Sequence, residues 1–395
     1  MGTVWSLLKR CIDSNADSPS ARSQQRPTCT QVRLILLGLA QVGKSTLVNN
    51  LLLNHGSYDR DAKTIADPFT TERRRRISNR IRQNVLQNMQ ILTEKVYQFQ
   101  LSYQLPCNVR YAEQLNNLIG DPTRFADAEI TDEVMQLAEP LLHNLWADAA
   151  VQEAFARRRD FALPDNATYL MQRLPSIASP GYVVTDEDIL YKQSPSSQQQ
   201  AYCFRRGYVD IEIIDLGGLE GAEVSRSFHH MLEYFRSTQT LQRNTVCGVL
   251  FVASLADYNK PYTGRLEMRH LDRHRPVSRL DASLYLFRLL SERIARQNMQ
   301  FIVFLNKKDS FYKSLEIYDD YERIDNQCPR RQDEAIKFIR QKFHRYYAEA
   351  NPELNLYSTE TKATDLEAIP GLFGLAQEFI CDQHMRIWIN SSRRP

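Results

Sequence analysis

Apolar positions follow two rhythms along this chain of 395 residues, and the rhythm changes twice. Near the start, VRLILL (32–37) is an unbroken apolar run, and TLVNNLLLN (46–54) follows with Leu47, Leu51 and Leu52 at helical spacing. A short apolar run ending at a glycine turn predicts a buried strand, here followed by a helix. From Asp67 and Pro68, which read as an N-cap and first helical residue, apolar residues recur at Ile77, Ile81, Val85, Met89, Leu92, Val96 and Phe99. Steps of three and four predict a long amphipathic helix. Residues 134–145 and 151–157 keep the helical period, and almost nothing before about residue 190 has a strand's pattern.

Strand signals return in VDIEIID (209–215), VCGVLFVASL (246–255), MQFIVFLN (299–306) and LNLYSTE (354–360), with helical patterns at 282–295 and 333–348. Strands alternating with helices predict a mostly parallel α/β sheet, with a ligand at the C-terminal ends of its strands. The pattern divides the chain into an α/β domain (31–57 and 192–395), an all-helical insert (58–191) and an N-terminal segment (1–30). Within that segment, residues 12–30 contain Ser, Gln and Pro with little apolar pattern and read as a linker.

Composition narrows the class. Apolar content of 43% and charged content of 25% are ordinary for a soluble globular protein, and a net charge of +3 gives no footing for nucleic-acid binding. The seven cysteines are scattered without CxxC spacing, which argues against a disulfide framework or zinc site and suits a reducing cytosol. No apolar run approaches a membrane span. The opening MGTVWS fits N-myristoylation at Gly2. A single acyl chain holds a membrane only marginally, so Cys11 as a palmitate site, or the Lys9–Arg10 pair, would be the second signal.

Candidate chemistry lies where the predicted strands end. GLAQVGKST runs from Gly38 through Leu39, Ala40, Gln41, Val42, Gly43, Lys44 and Ser45 to Thr46, between the first strand and its helix. Glycines let backbone N–H groups close around phosphate oxygens, Lys44 reaches the β- and γ-phosphates, and the Ser45 hydroxyl suits Mg²⁺. The helix N-terminus adds its positive end. Asp215-Leu-Gly-Gly218 closes another strand, where the carboxylate would hold Mg²⁺ through water and the Gly218 N–H would touch a γ-phosphate. Asn306-Lys307-Lys308-Asp309 closes a third, and the Asp309 carboxylate matches guanine's N1–H and exocyclic amine but not adenine. In Thr361-Lys-Ala-Thr-Asp365 the Ala363 N–H would meet guanine O6.

Together these segments resemble the α subunits of heterotrimeric G proteins over nearly the whole chain. The resemblance implies a Ras-like P-loop GTPase fold with an inserted helical domain, GTP/GDP and Mg²⁺ as ligands, and a switch downstream of a G protein-coupled receptor. It also implies an effector, a Gβγ dimer and a lipid anchor at the cytoplasmic face of the plasma membrane. Asp165 and Asn166 would line the cleft between the domains, and Leu190, Tyr191 and Lys192 would join them in binding the nucleotide.

The departures from the family pattern concern hydrolysis. Ala40 stands at a glycine position near the γ-phosphate, and Leu219 at that of the glutamine that orients the attacking water. The family's spacing puts Gln193 at the catalytic arginine's place and Ser196 at the Mg²⁺-binding threonine's; a one-residue slip brings Lys192 toward the arginine's place instead. Leucine cannot hydrogen-bond water and neutral glutamine cannot neutralise developing charge, so hydrolysis is expected to be slow.

Other departures concern partners. Glu223 and Ala282 replace members of a switch ion pair. Pro19 and Pro27 interrupt the segment where the family's βγ-binding helix would lie, and the tail SSRRP is unlike the family's receptor-reading end. The Arg73–Arg76 run and the basic insert at 259–277 read as solvated, the insert with an acidic partner or headgroup as its other reading.

Overall fold

The computed structural model describes residues 30–120, 128–161, 163–193, 200–217, 245–264, 277–294 and 299–392. Gly2, Cys11, Ser196, Gly218, Leu219, Glu223, the 265–276 part of the basic insert and the Arg-Arg-Pro end lie outside them.

Among the described residues the α/β part holds a six-stranded sheet in the order β4-β5-β1-β6-β7-β8. Its parallel strands are β1 (Gln31–Leu37), β5 (Val209–Asp215), β6 (Thr245–Ser254), β7 (Gln300–Asn306) and β8 (Tyr357–Glu360). Every residue of β6 and β7 is buried, as expected for strands covered on both faces. Sequence pattern alone did not reveal β4 (Gln200–Arg206), which pairs antiparallel with β5 at the sheet edge. Its run QAYCFRR lacks the apolar continuity of the central strands because one side of an edge strand has no neighbour. The chain leaves β1 with β5 on one side and β6 on the other, so the switch point where ligands bind such sheets falls at the loop after β1.

Helix α1 (Lys44–His55) follows that loop. A hairpin, β2 (Ser57–Asp59) with β3 (Thr64–Ala66), comes next. These three-residue strands are too short to show a period, and they sit inside the span expected to be wholly helical. They rest on the sheet: the Arg205 guanidinium lies 4.0 Å from the Tyr58 ring centroid, and Arg60 meets Glu212 at 3.3 Å.

The insert's helices are α2 (Thr71–Gln98), α3 (Cys107–Ile119), α4 (Asp132–Ala147), α5 (Ala149–Ala156), α6 (Ala167–Gln172), α7 (Leu174–Ile177) and α8 (Asp186–Tyr191). The expected stripe from Ile77 to Val96 is the buried face of α2. Its N-cap is Thr70 rather than Asp67. The Thr70 hydroxyl accepts from Arg73 N, while the Asp67 carboxylate closes a local turn on Phe69 N at 2.8 Å. Buried Asp148 caps α5 through Ala150 N and also accepts from Gln104 N and Asn108 Nδ2, so one carboxylate fixes the α3–α5 junction. The remaining helices are α9 (Arg279–Ile294), α10 (Lys308–Tyr318), α11 (Gln332–Ala350) and α12 (Ala368–Ser392). No helix among the described residues is long and apolar enough to cross a membrane.

Candidate functional site

A cavity of about 1080 Å³ lies between the strand ends and the insert. It is walled by the loop after β1, by Asp215, by the loops after β7 and β8, by α2 and α8, and by residues 164–166 ahead of α6. The loop after β1 has the close approaches its glycines imply. Gly38 has φ 144°, and a Cβ there would lie 2.2 Å from Val252 O; Gly43 has φ 102°, and a Cβ there would lie 2.2 Å from Asn306 Nδ2. Lys44 is buried, and its ammonium donates to Gly38 O at 3.0 Å and Leu39 O at 2.8 Å. A cation is thereby held within the loop.

Leu39 and Val42, expected to bind nucleotide, point their fully buried side chains into the core and serve the site through their carbonyls. Ala40 needs no unusual backbone; the left-handed position falls one residue later, at Gln41 (φ 63°). That conformation costs a non-glycine residue about 1 kcal/mol, and Lys307 Nζ holds it by donating to Gln41 O at 2.6 Å.

The segments after β7 and β8, expected to read a base, are joined to this loop by Asn306 as well as by Lys307. Asn306 Nδ2 donates to Val42 O at 2.8 Å, and its Oδ1 accepts from Thr361 Oγ1 at 3.2 Å and Ala363 N at 2.9 Å. The Ala363 N–H, expected to point at a base, thus donates within the protein in this structure. Asn50 of α1 braces the same loop from behind, donating to Ala363 O and Asp365 O. Asp309 stands in the first turn of α10, exposed and on the cavity wall, with the helix N-terminus favouring its negative charge.

Asn306 thus ties the loop after β1 to the loop after β8, and Asp309 stands beside them on the cavity wall. The model of the G-protein alpha subunit family fits residues 10–380. The chain belongs to this family.

This G-alpha chain is 26% identical over 362 residues to guanine nucleotide-binding protein subunit alpha-15 of Rattus norvegicus, covering 89% of this chain and 86% of the relative. The Mus musculus counterpart is 25% identical over the same length. Members of the family are GTPases that bind guanine nucleotides in signal transduction.

Ser45 and Asp215 both line the cavity of this G-alpha chain. A hydroxyl and a carboxylate are the hard oxygen donors Mg²⁺ takes when phosphates and waters complete its shell. Asp215 is buried, and Gly217 N donates to its Oδ1 at 2.9 Å, which fixes the carboxylate.

The insert of this G-alpha chain closes the cavity by three ties. Asp165 accepts from Lys307 Nζ at 2.5 Å and from Lys260 Nζ at 2.8 Å. Burial works against its charge, and the two ammonium groups outweigh it, holding the carboxyl below the ordinary carboxylate range. Lys260 also meets buried Asp257, which pairs with Arg279, and Arg279 donates to Ala40 O. Lys260 lies in the insert read from sequence as a solvated loop; here it is part of this clamp.

The second tie is at α8, where Thr46 Oγ1 donates to Leu190 O at 3.3 Å. Asn166 Nδ2 donates to Tyr191 O at 2.8 Å, and Tyr191 stacks on Tyr169 with centroids 3.7 Å apart. The third is at α2, where Gln193 N donates to Asn84 Oδ1 at 3.0 Å and Arg80 Nε donates to Gln193 O at 3.1 Å.

Lys260, Arg279, Asn84, Arg73 and Arg80 are site residues that motif reading missed. Arg73, Arg80 and Asn84 recur at helical spacing, a pattern that ordinarily marks a solvated face. The Asp165 clamp leads to a prediction. Asp165→Asn removes two half-exposed ion pairs of about 0.5–1 kcal/mol each, so nucleotide release is expected to quicken roughly tenfold. Salt screens such pairs. Release from the wild type should therefore quicken with ionic strength, and release from the variant should not, as read with a fluorescent nucleotide.

Proposed function

We propose that this chain is a guanine-nucleotide switch that binds GTP and GDP with Mg²⁺, hydrolyses GTP slowly, and acts downstream of a membrane receptor. The observation that carries this reading is the convergence of the phosphate loop, Asp215, Asp309 and the Ala363 loop on one cavity. Ser45 and Ser196 are the proposed Mg²⁺ hydroxyls, Asp309 reads the base, and Lys44 meets the phosphates. Slow hydrolysis follows from Gln193 and Leu219 at the family's catalytic positions, since neither supplies charge or orients water.

The nucleotide retained by freshly purified protein tests the reading. Bound GDP supports a switch that turns over, and bound GTP supports one locked in its active state. A site empty after purification with Mg²⁺, and unable to take up either nucleotide, leaves a scaffold that works by partner binding alone.

The family's proteins associate peripherally with membranes, and Gly2 with Cys11 is the proposed anchor. Gly2→Ala removes the acceptor amine and is expected to move most of the protein from membrane to soluble fractions. An unchanged distribution would assign the anchor to Cys11 or a partner.

A further inference from the structure

The Arg73–Arg76 run does not behave as one solvated patch. Arg75 and Arg76 are exposed, whereas Arg73 and Arg74 are half-buried. Arg74 is used structurally, bonding Phe69 O and Asp186. Arg73 donates to Pro68 O at 2.8 Å and stacks 4.6 Å over the Phe69 ring, partners that leave its charge uncompensated. Arg80 lies seven residues on, two helical turns along the same face. Arg73 and Arg80 line the cavity together with Lys192, and the same wall continues to Lys44 and Ser45.

Lys192 has no hydrogen-bond or ion-pair partner among the described residues. Burial and the nearby charges of Arg73 and Arg80 push its ammonium down to about 8. Arg73 and Lys192 meet no carboxylate among the described residues, and like charges held together in a half-buried place favour an anion between them. Gln193, adjacent in sequence, is neutral, so the position that bears charge in the family supplies none here.

We propose that Arg73, Arg80 and Lys192 form an anion subsite for the terminal phosphate of GTP, through which the insert distinguishes triphosphate from diphosphate. The proposal rests on the reading of the cavity as a guanine-nucleotide site. GTP carries one more phosphoryl group than GDP, and a cluster of cations beyond the Lys44 cradle rewards only that extra charge. These residues would hold the ground state of GTP without orienting water, which is compatible with the slow cleavage proposed above.

The test uses the full chain with Mg²⁺ and compares dissociation constants for GTP and GDP. Lys192→Gln is expected to lower the preference for GTP over GDP about tenfold, the worth of one charge-assisted hydrogen bond, with GDP affinity unchanged. Arg73→Gln should act in the same direction, and Lys192→Arg should keep the preference. Equal affinities in wild type and Lys192→Gln overturn the proposal, as does an equal loss for both nucleotides, which would place the cluster on an inner phosphate or on the fold. Inorganic phosphate alone is the probe for a free anion. If it stabilises the wild type but not Lys192→Gln while GTP preference is the same in both, the terminal-phosphate assignment is overturned. A wild-type chain that binds neither nucleotide defeats the underlying site reading instead, a separate and recognisable failure.

Discussion

Replacing Asp309 with asparagine is expected to turn a guanine site into one that accepts xanthine. On the proposed reading the carboxylate would accept from guanine N1–H and the exocyclic amine, whereas an asparagine amide presents a donor that suits the carbonyl at position 2 of xanthine. Two hydrogen bonds to a charged acceptor are lost, about 3–5 kcal/mol, so GTP affinity should fall by two to three orders of magnitude. Asp309 is exposed at the start of α10 and makes no packing contact that the substitution would empty, so the fold should survive. Competition between GTP and xanthosine triphosphate reads the result. Unchanged GTP affinity would remove Asp309 from the base site.

Gln193→Arg combined with Leu219→Gln is expected to raise single-turnover GTP hydrolysis by roughly a hundredfold or more, and each change alone by far less, because positioning and charge stabilisation act on one transition state. The Gln193 backbone is fixed at both polar atoms, N to Asn84 and O to Arg80, so an arginine there starts from a defined position. Ala40→Gly should add to the gain by relieving crowding at the γ-phosphate. Nucleotide affinity should change little, since none of the three replaces a ground-state contact. A wild-type chain that already cleaves GTP as fast as the double variant would mean that another residue supplies the chemistry.

The central strands and the glycine loop after β1 were legible because buried parallel strands leave apolar runs and a tight turn with close backbone approaches demands glycines at Gly38 and Gly43. Edge strand β4 and the β2–β3 hairpin left no such trace: one is half-unpaired, and the other is three residues per strand. The cap of α2 was misplaced because Asp67 and Thr70 both suit a helix start, and only folding decides that Asp67 closes a turn. The Asp165 clamp was hidden for a different reason. Lys260 is 95 and Lys307 142 residues away in sequence, and no spacing rule connects them. Arg73 was lost inside a run of like residues whose two halves part company only once the helix has a direction.

The Asn306 bracket has a consequence for how a ligand is measured. Its amide ties the loop after β1 at Val42 to the loop after β8 at Thr361 and Ala363, the proposed phosphate and base ends of the site. A fragment that orders only one loop would still contend with the other, so a nucleoside or a bare polyphosphate is expected to bind far more weakly than the whole nucleotide, as read by comparing their dissociation constants. On the proposed reading of the site, the two ends of the nucleotide would act as joint inputs, and the cavity would answer as a coincidence detector for whole nucleotides rather than a sum of two weaker sensors.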